Sequence, residues 1–277
     1  MARLFNKILG KNVEVPNNPK RIISFSPAVT ETLFMLGLGE NIVGVSGFCT
    51  RPDEAMKKRK VGSYNSVSFD LLRSLCPDLV FTVTGYQREF AFKLSETFPI
   101  YPLELPISVS GILDMIVKVG LVAGAQEKGW DLGSKLLRKL AIIRPITRKL
   151  KAYVEIDLGG PVSFGAYSYI TDALHLLGLS TLYDEVKSEW LTPNLSRVLD
   201  EKPDVIFYEA KMYSSFDEQK LDLLFRKRRW SELDVVKKKQ FFLTPGPLDF
   251  LAHHGPSFII ETLPWLADRL RLVFVNE

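Results

Sequence analysis

Ser68 to Thr84 read SFDLLRSLCPDLVFTVT: a polar cap, leucines at helical spacing, a Pro-Asp turn, then an apolar run rich in β-branched and aromatic residues. The spacing predicts a short helix feeding a buried strand. The same plan returns at Asn194 to Glu209, NLSRVLDEKPDVIFYE. Pro77 and Pro203 stand too far apart for a solenoid repeat and at a suitable distance for two similar α/β lobes, so a bilobal chain is expected.

Working outward, Arg21 to Phe25 is a strand candidate ending at Ser26-Pro27, where a helix cap followed by proline at the first helical position starts AVTETLFMLGLG. Strands are expected at Ile42–Val45, Val61–Ser63, Leu79–Val83 and Ile100–Leu105, with helical patterns between most of them. From Ser108 to about Ile146 the strand signal disappears and two successive helices are expected, despite Gly120, Gly129 and Gly133, each costing about 1 kcal/mol relative to alanine. A second α/β series opens at KAYVEID. It continues with the helix YSYITDALHLLG, the strand VIFYE, a basic helix around Phe216 to Arg229, the strand FFLT and a closing helix in GPSFIIETLPWLADRLR. The expected division is an N-terminal lobe over residues 1–107, a helical connector over 108–147 and a C-terminal lobe over 148–277. Strands alternating with helices imply an α/β fold with mostly parallel sheets, which bind ligands at the carboxyl ends of their strands.

Composition sets the outer bounds. The chain has 277 residues, 46% hydrophobic and 25% charged, enough apolar material for one or two cores. The net charge of +4 gathers partly in Lys57–Lys60, Arg226–Arg229 and Lys237–Lys239. These short runs lack the interleaved aromatics of single-stranded nucleic-acid binders and read as solvated faces, so no nucleic acid is expected. No segment approaches a membrane span, and MARLFNKILGK has only broken apolar pairs where a signal peptide needs a longer core. The expected address is therefore cytoplasmic, or extracytoplasmic if a signal has been removed. Cys49 and Cys76 are expected to be reduced, as buried free thiols.

The segments RIISFSPAVTETLFMLGLGENIVGVSGFC, RPDEA, VGSYNSVSFDLLRSLCPDLVF and WSELDVVKKKQFF together resemble the helical-backbone (class III) substrate-binding proteins of ABC importers. Those for cobalamin and ferric siderophores are the most similar. The resemblance runs from about Arg21 to Leu272. It implies two Rossmann-like lobes joined by a rigid helix and closing modestly over a ligand. The function implied is binding without turnover, by a monomer that needs no cofactor of its own. The ligand class implied is a large metal chelate, a corrinoid foremost and a ferric siderophore or haem next.

Strand ends nominate the ligand contacts: Ser26, Pro27, Phe48, Tyr64, Asn65, Tyr86 and Gln87 in the first lobe, and Phe164, Tyr167, Trp190, Glu209 and Lys211 in the second. Phe250, His253 and His254, after the last strand, complete the set. Aromatics suit a wide flat ligand because each buries a large area with two torsions, while a few polar tips fix orientation. The pair His253-His254 invites a metal reading. Adjacent residues rarely face one ion, however, and His175 is the only other histidine, so no protein-built metal site is expected, and contact with a ligand's metal or edge suits the pair better. GxGxxG after a strand, the P-loop, GxSxG, HExxH and CxxC are all absent. Glu155 with Asp157, or Glu209 with Lys211, are the only acid/base pairs nominated for an enzyme.

Family members dock on the permease through one acid from each lobe. Matching positions of the Pro-Asp repeat here carry Asp70 and Ser196, so one acid is kept and the other is a hydroxyl. Asp70 also suits the first turn of a helix capped by Ser68. With no signal read and one acid missing, a cytoplasmic binding protein without an importer is the expectation, and an importer's receptor is the alternative.

Overall fold

In the computed structural model, residues 1–63, 66–85 and 87–274 are described. They form two compact units, Met1–Pro106 with Ser110–Arg138, and Ile107–Val109 with Lys139 onward.

The first unit opens with an antiparallel hairpin of β1 (Ala2–Asn6) and β2 (Lys11–Val15) that sequence reading did not anticipate. Asn6 fixes it: its carboxamide donates to Pro102 O at 2.8 Å and accepts the amides of Ile8 and Leu9, both at 3.1 Å. Then follow β3 (Ile22–Ser24), α1 (Pro27–Met35), β4 (Ile42–Ser46), α2 (Asp53–Met56), β5 (Lys60–Gly62), α3 (Phe69–Ser74), β6 (Leu79–Val83), α4 (Arg88–Ser95) and β7 (Ile100–Leu103). The sheet order is β5-β4-β3-β6-β7, and every pairing is parallel. Side chains alternate between its faces. Ile22, Leu79 and Phe81 pack with Val29 and Leu33 of α1, whereas Ile23 and Val80 pack with Leu72 of α3 and Phe90 and Leu94 of α4. Burial on both faces is why these strands read as unbroken apolar runs.

Two helices follow, α5 (Val109–Val122) and α6 (Gln126–Ala141). Met115, Val119 and Val122 of α5 join the core beneath α1. The costly glycines have a steric reason: a Cβ on Gly120 would lie 2.8 Å from the Gly129 Cα, so the two backbones touch where both residues lack side chains.

The second unit contains β8 (Leu150–Asp157), β9 (Pro161–Val162), α7 (Tyr169–Leu176), β10 (Leu179–Thr181), α8 (Leu195–Glu201), β11 (Val205–Glu209), α9 (Glu218–Lys227), α10 (Asp234–Lys237) and β12 (Phe241–Leu243). A π-helical turn, Phe258–Thr262, runs into α11 (Leu263–Phe274). The sheet order is β10-β8-β11-β12, all parallel, with β9 antiparallel to β8. Val198 of α8 and Leu221 and Phe225 of α9 pack with Tyr153, Ile206 and Tyr208, while Phe207 meets Trp265 of α11 at 6.0 Å.

The Pro-Asp repeat has the same job in both units. Asp78 accepts the amides of Lys20 at 2.7 Å and Arg21 at 2.9 Å, at the entry to β3. Asp204 accepts the amide of Lys151 at 2.7 Å, at the start of β8. Each aspartate thus satisfies a donor at the amino end of the neighbouring strand and fixes where that strand begins. The caps read from sequence are also present, with Ser68 accepting from Leu71 N at 3.3 Å and Asn194 from Ser196 N at 3.1 Å. Both cysteines are free, but Cys76 corrects the expectation of burial: it lies exposed, in the left-handed region at φ 42°, at the turn before Pro77.

Candidate ligand-binding site

In the first unit the strand ends divide into scaffold and surface. Ser26 is fully buried, its hydroxyl faces Val29 N at 3.5 Å as the cap of α1, and Pro27, also buried, is the first residue of that helix. Gln87 is buried too. Its side-chain oxygen accepts Val83 N at 2.8 Å and its nitrogen donates to Phe25 O at 3.1 Å, so it ties the end of β6 to the end of β3. Phe48, in the loop after β4, is exposed. Tyr64, Asn65 and Tyr86 lie outside the described residues.

Three aromatics nominated in the second unit are carried on two loops paired through their backbones. Ser163 and Leu191 exchange two backbone hydrogen bonds of 2.9 Å, and the amides of Ala166 and Tyr167 donate to Val186 O at 2.8 Å and Ser188 O at 3.1 Å. Gly165 makes this approach possible, because a Cβ there would sit 2.4 Å from Val186 O. Phe164 and Trp190 are half-buried on these loops and Tyr167 is exposed. Phe164 also lines, with Tyr153, Thr171 and Tyr183, a cavity of about 10 Å³, space for a single water and far below the roughly 300–1,000 Å³ of ligand pockets, so no tetrapyrrole enters it.

The end of β11 belongs to a different arrangement. Glu209 is buried, and its carboxylate accepts the amides of Phe250 at 2.9 Å, Leu251 and, more distantly, Ala252 at 3.4 Å. Thr262 Oγ1 and Tyr169 OH then hold the carbonyls of Phe250 and Leu251, at 3.0 and 2.8 Å. Glu209 is therefore the anchor of the loop that carries the two histidines. Lys211, nominated beside it, is exposed. Phe250 is buried edge-on against Trp265 at 5.5 Å, His253 is buried with Nδ1 3.6 Å from Asp249 Oδ2, and His254 is buried 5.8 Å from the ring of Tyr169. Among the described residues no three His, Cys, Asp or Glu side chains gather as a metal site.

Burial gives this loop a pH signature. It pushes the Glu209 carboxyl up from an ordinary 4.5 to about 7 despite the opposing backbone amides, with the charge of Asp249 adding to the rise. It lowers His254 from 6.5 to about 4, helped by His253 and opposed by the Ala252 backbone and Asp249. The raised Glu209 contributes stability that is whole below pH 4.5 and lost as pH rises through 7. His254 contributes stability that is whole above pH 6.5 and lost as pH falls through 4. Between 4.5 and 6.5 the two slopes oppose one another. His254→Gln should unmask a loss on the order of 1 kcal/mol per pH unit as pH rises across that interval, and Glu209→Gln a gain of similar size. Denaturant unfolding of both variants at three pH values checks this; unchanged pH dependence in either would contradict it.

A network missed by sequence reading lies beside this region. Arg228 grips Glu155 bidentately, 2.7 Å on each side, and Tyr153 OH donates to Glu155 Oε2 at 2.6 Å. The guanidinium carbon also sits 4.9 Å from the centre of the Trp230 ring. Asp157, paired with Glu155 in the enzyme reading, instead accepts the amides of Gly159 and Gly160 at 2.8 and 3.0 Å. Asp70 is exposed in the first turn of α3, 3.2 Å from Arg73, and Ser196 is exposed on α8, its hydroxyl 2.8 Å from Asn194 Oδ1.

Two parallel α/β sheets with aromatic residues at their strand-end loops define the class: residues 22–248 match the periplasmic binding protein family, and the chain belongs to it. A substrate-binding lipoprotein of a Bacillus subtilis ABC transporter is 23% identical over 94% of this chain and 82% of its own length. Among solved structures, a possible iron-binding periplasmic protein of Staphylococcus epidermidis superposes with a TM-score of 0.75 at 21% identity, over 91% of this chain and 99% of that one. The vitamin B12-binding protein of Vibrio cholerae gives 0.71 at 19% identity, over 92% and 98%. These structures share the fold. Among the described residues no helix is long and apolar enough to cross a membrane. A cytoplasmic address finds no support among these relatives, which are named as a lipoprotein and as periplasmic proteins.

Proposed function

We propose that this chain is a solute-binding receptor that holds one large metal chelate, a corrinoid foremost and a ferric siderophore or haem next, and passes it unchanged to an ABC importer. The observation that carries this reading is the family match over residues 22–248, in a chain whose strand-end loops present Phe48, Phe164, Tyr167 and Trp190. The chelate is cargo, and the protein needs no resident cofactor. No catalytic step is assigned, because Glu155 and Glu209 are both buried in contacts that hold the scaffold. The protein works outside the cytoplasmic membrane, with Asp70 as the acid that the first unit offers to the permease. A second reading, binding without an importer, is favoured by one observation: a hydroxyl, Ser196, stands where a second acid is expected.

A thermal-shift screen of cobalamin, cobinamide, haemin and ferric hydroxamates tests the ligand class. A chelate present at 100 times its dissociation constant should add about 2.7 kcal/mol of stability. Asp70→Ala should leave that shift unchanged while abolishing capture by a permease. No shift with any of these chelates would contradict the ligand class, and capture unaffected by Asp70→Ala would contradict the docking role.

A further inference from the structure

We propose that the outer face of α6 is a self-association surface, on which a second copy of this chain packs antiparallel. The face is apolar where solvent should favour polar residues: Trp130 and Leu137 are each 57% exposed, while Gly129, Gly133 and Leu136 point into the core. At about 100° per residue, Trp130, Ser134 and Leu137 fall in one stripe roughly 60° wide. Glu127, Asp131 and Arg138 lie together on one flank of that stripe, the acids towards the amino end and the base towards the carboxyl end. Among the described residues none of these three makes an ion pair within its own chain, so all three charges are available to a partner.

This pattern selects its occupant. A two-fold axis perpendicular to α6, passing between Gly133 and Ser134, sets Trp130 opposite Leu137 of the second copy and brings like flanks together. Arg138 of the second copy then lies level with the gap between Glu127 and Asp131, about 3 Å along the axis from each. Parallel packing would instead set this charged flank against the opposite flank of the second copy, where Gln126 and Leu140 offer no counter-charge. An anionic lipid surface would be repelled by the two acids that border the stripe at its amino end. Ser134, small and exposed, sits at the crossing point, where a longer side chain would hold the helices apart. One helix pair buries less than the roughly 1,200 Å² of a standard stable interface, so the dimer dissociates on dilution.

Sedimentation velocity on the full chain, from about 5 to 500 μM, tests this. The wild type should shift from monomer towards dimer across the range, and Trp130→Glu should stay monomeric throughout. Arg138→Glu should weaken the dimer at least tenfold, as should the Glu127→Arg/Asp131→Arg pair. Combining all three reversals should restore it, because the charges are again complementary. Circular dichroism confirms that each surface variant is folded. A wild type that stays monomeric at every concentration, a dimer indifferent to Trp130→Glu, or a failure of the triple reversal to restore association would each overturn the proposal.

Discussion

Replacing Arg228 with alanine should cost about 3–5 kcal/mol, the range expected when one partner of a buried ion pair is removed and the other is left uncompensated. Glu155 is 1% exposed, and Arg228 supplies both of its charged hydrogen bonds, leaving only the Tyr153 hydroxyl when the guanidinium is gone. Burial and the neighbouring carboxylate raise the Tyr153 pKa, so that hydroxyl stays a neutral donor, which offers Glu155 a hydrogen bond but no counter-charge. The loss of the cation–π contact with Trp230 adds to the effect, since the guanidinium carbon sits 4.9 Å from the centre of that ring. Urea unfolding gives the magnitude. The double variant Arg228→Met/Glu155→Leu should recover most of the stability, because two apolar groups replace the pair without a stranded charge. A loss below about 1 kcal/mol for Arg228→Ala would mean that Glu155 finds water or another cation.

The second large effect is expected at Glu209. Truncation to alanine removes the acceptor shared by the amides of Phe250, Leu251 and Ala252 at a buried position. Each amide left unsatisfied costs about 1–3 kcal/mol, so the segment should open locally before the unit unfolds. Hydrogen exchange at Phe250 and Leu251 should accelerate at least a hundredfold, with little change in β8 or β11. Glu209→Gln keeps one acceptor oxygen and should fall between the two. Unchanged protection of these amides in Glu209→Ala would show that Thr262 and Tyr169 hold the loop without the carboxylate.

Much of the fold was legible because its signals are local. Ser68, Asn194 and the leucines after them mark helix starts within four or five residues, and the runs at Leu79–Val83 and Val205–Glu209 are buried throughout. The β1–β2 hairpin was missed because its alternation is short and carries Arg3, Lys7 and Lys11. What holds it is Asn6 reaching Pro102, a contact across 96 residues. The candidate site was legible in part. Phe164, Tyr167 and Trp190 read as loop aromatics, but the pairing of their loops depends on backbone bonds between residues 163–167 and 186–191, which leave no mark in sequence beyond Gly165. Glu209 and Gln87 read as ligand contacts because a polar residue at a strand end has the same signature whether it faces a ligand or a backbone amide. Their partners are main-chain groups, and a main-chain group carries no sequence identity. Glu155 and Arg228, 73 residues apart, offered no pattern at all.

The most direct test of the receptor reading is an absorbance and calorimetric titration of the purified chain with cobalamin, followed by recovery of the ligand. One saturable site per chain, with the chelate recovered unchanged, is the expected result, and haemin and a ferric hydroxamate are titrated alongside to rank the chelates. Absence of saturable binding to every chelate in that set, or recovery of a chemically altered ligand, would contradict it.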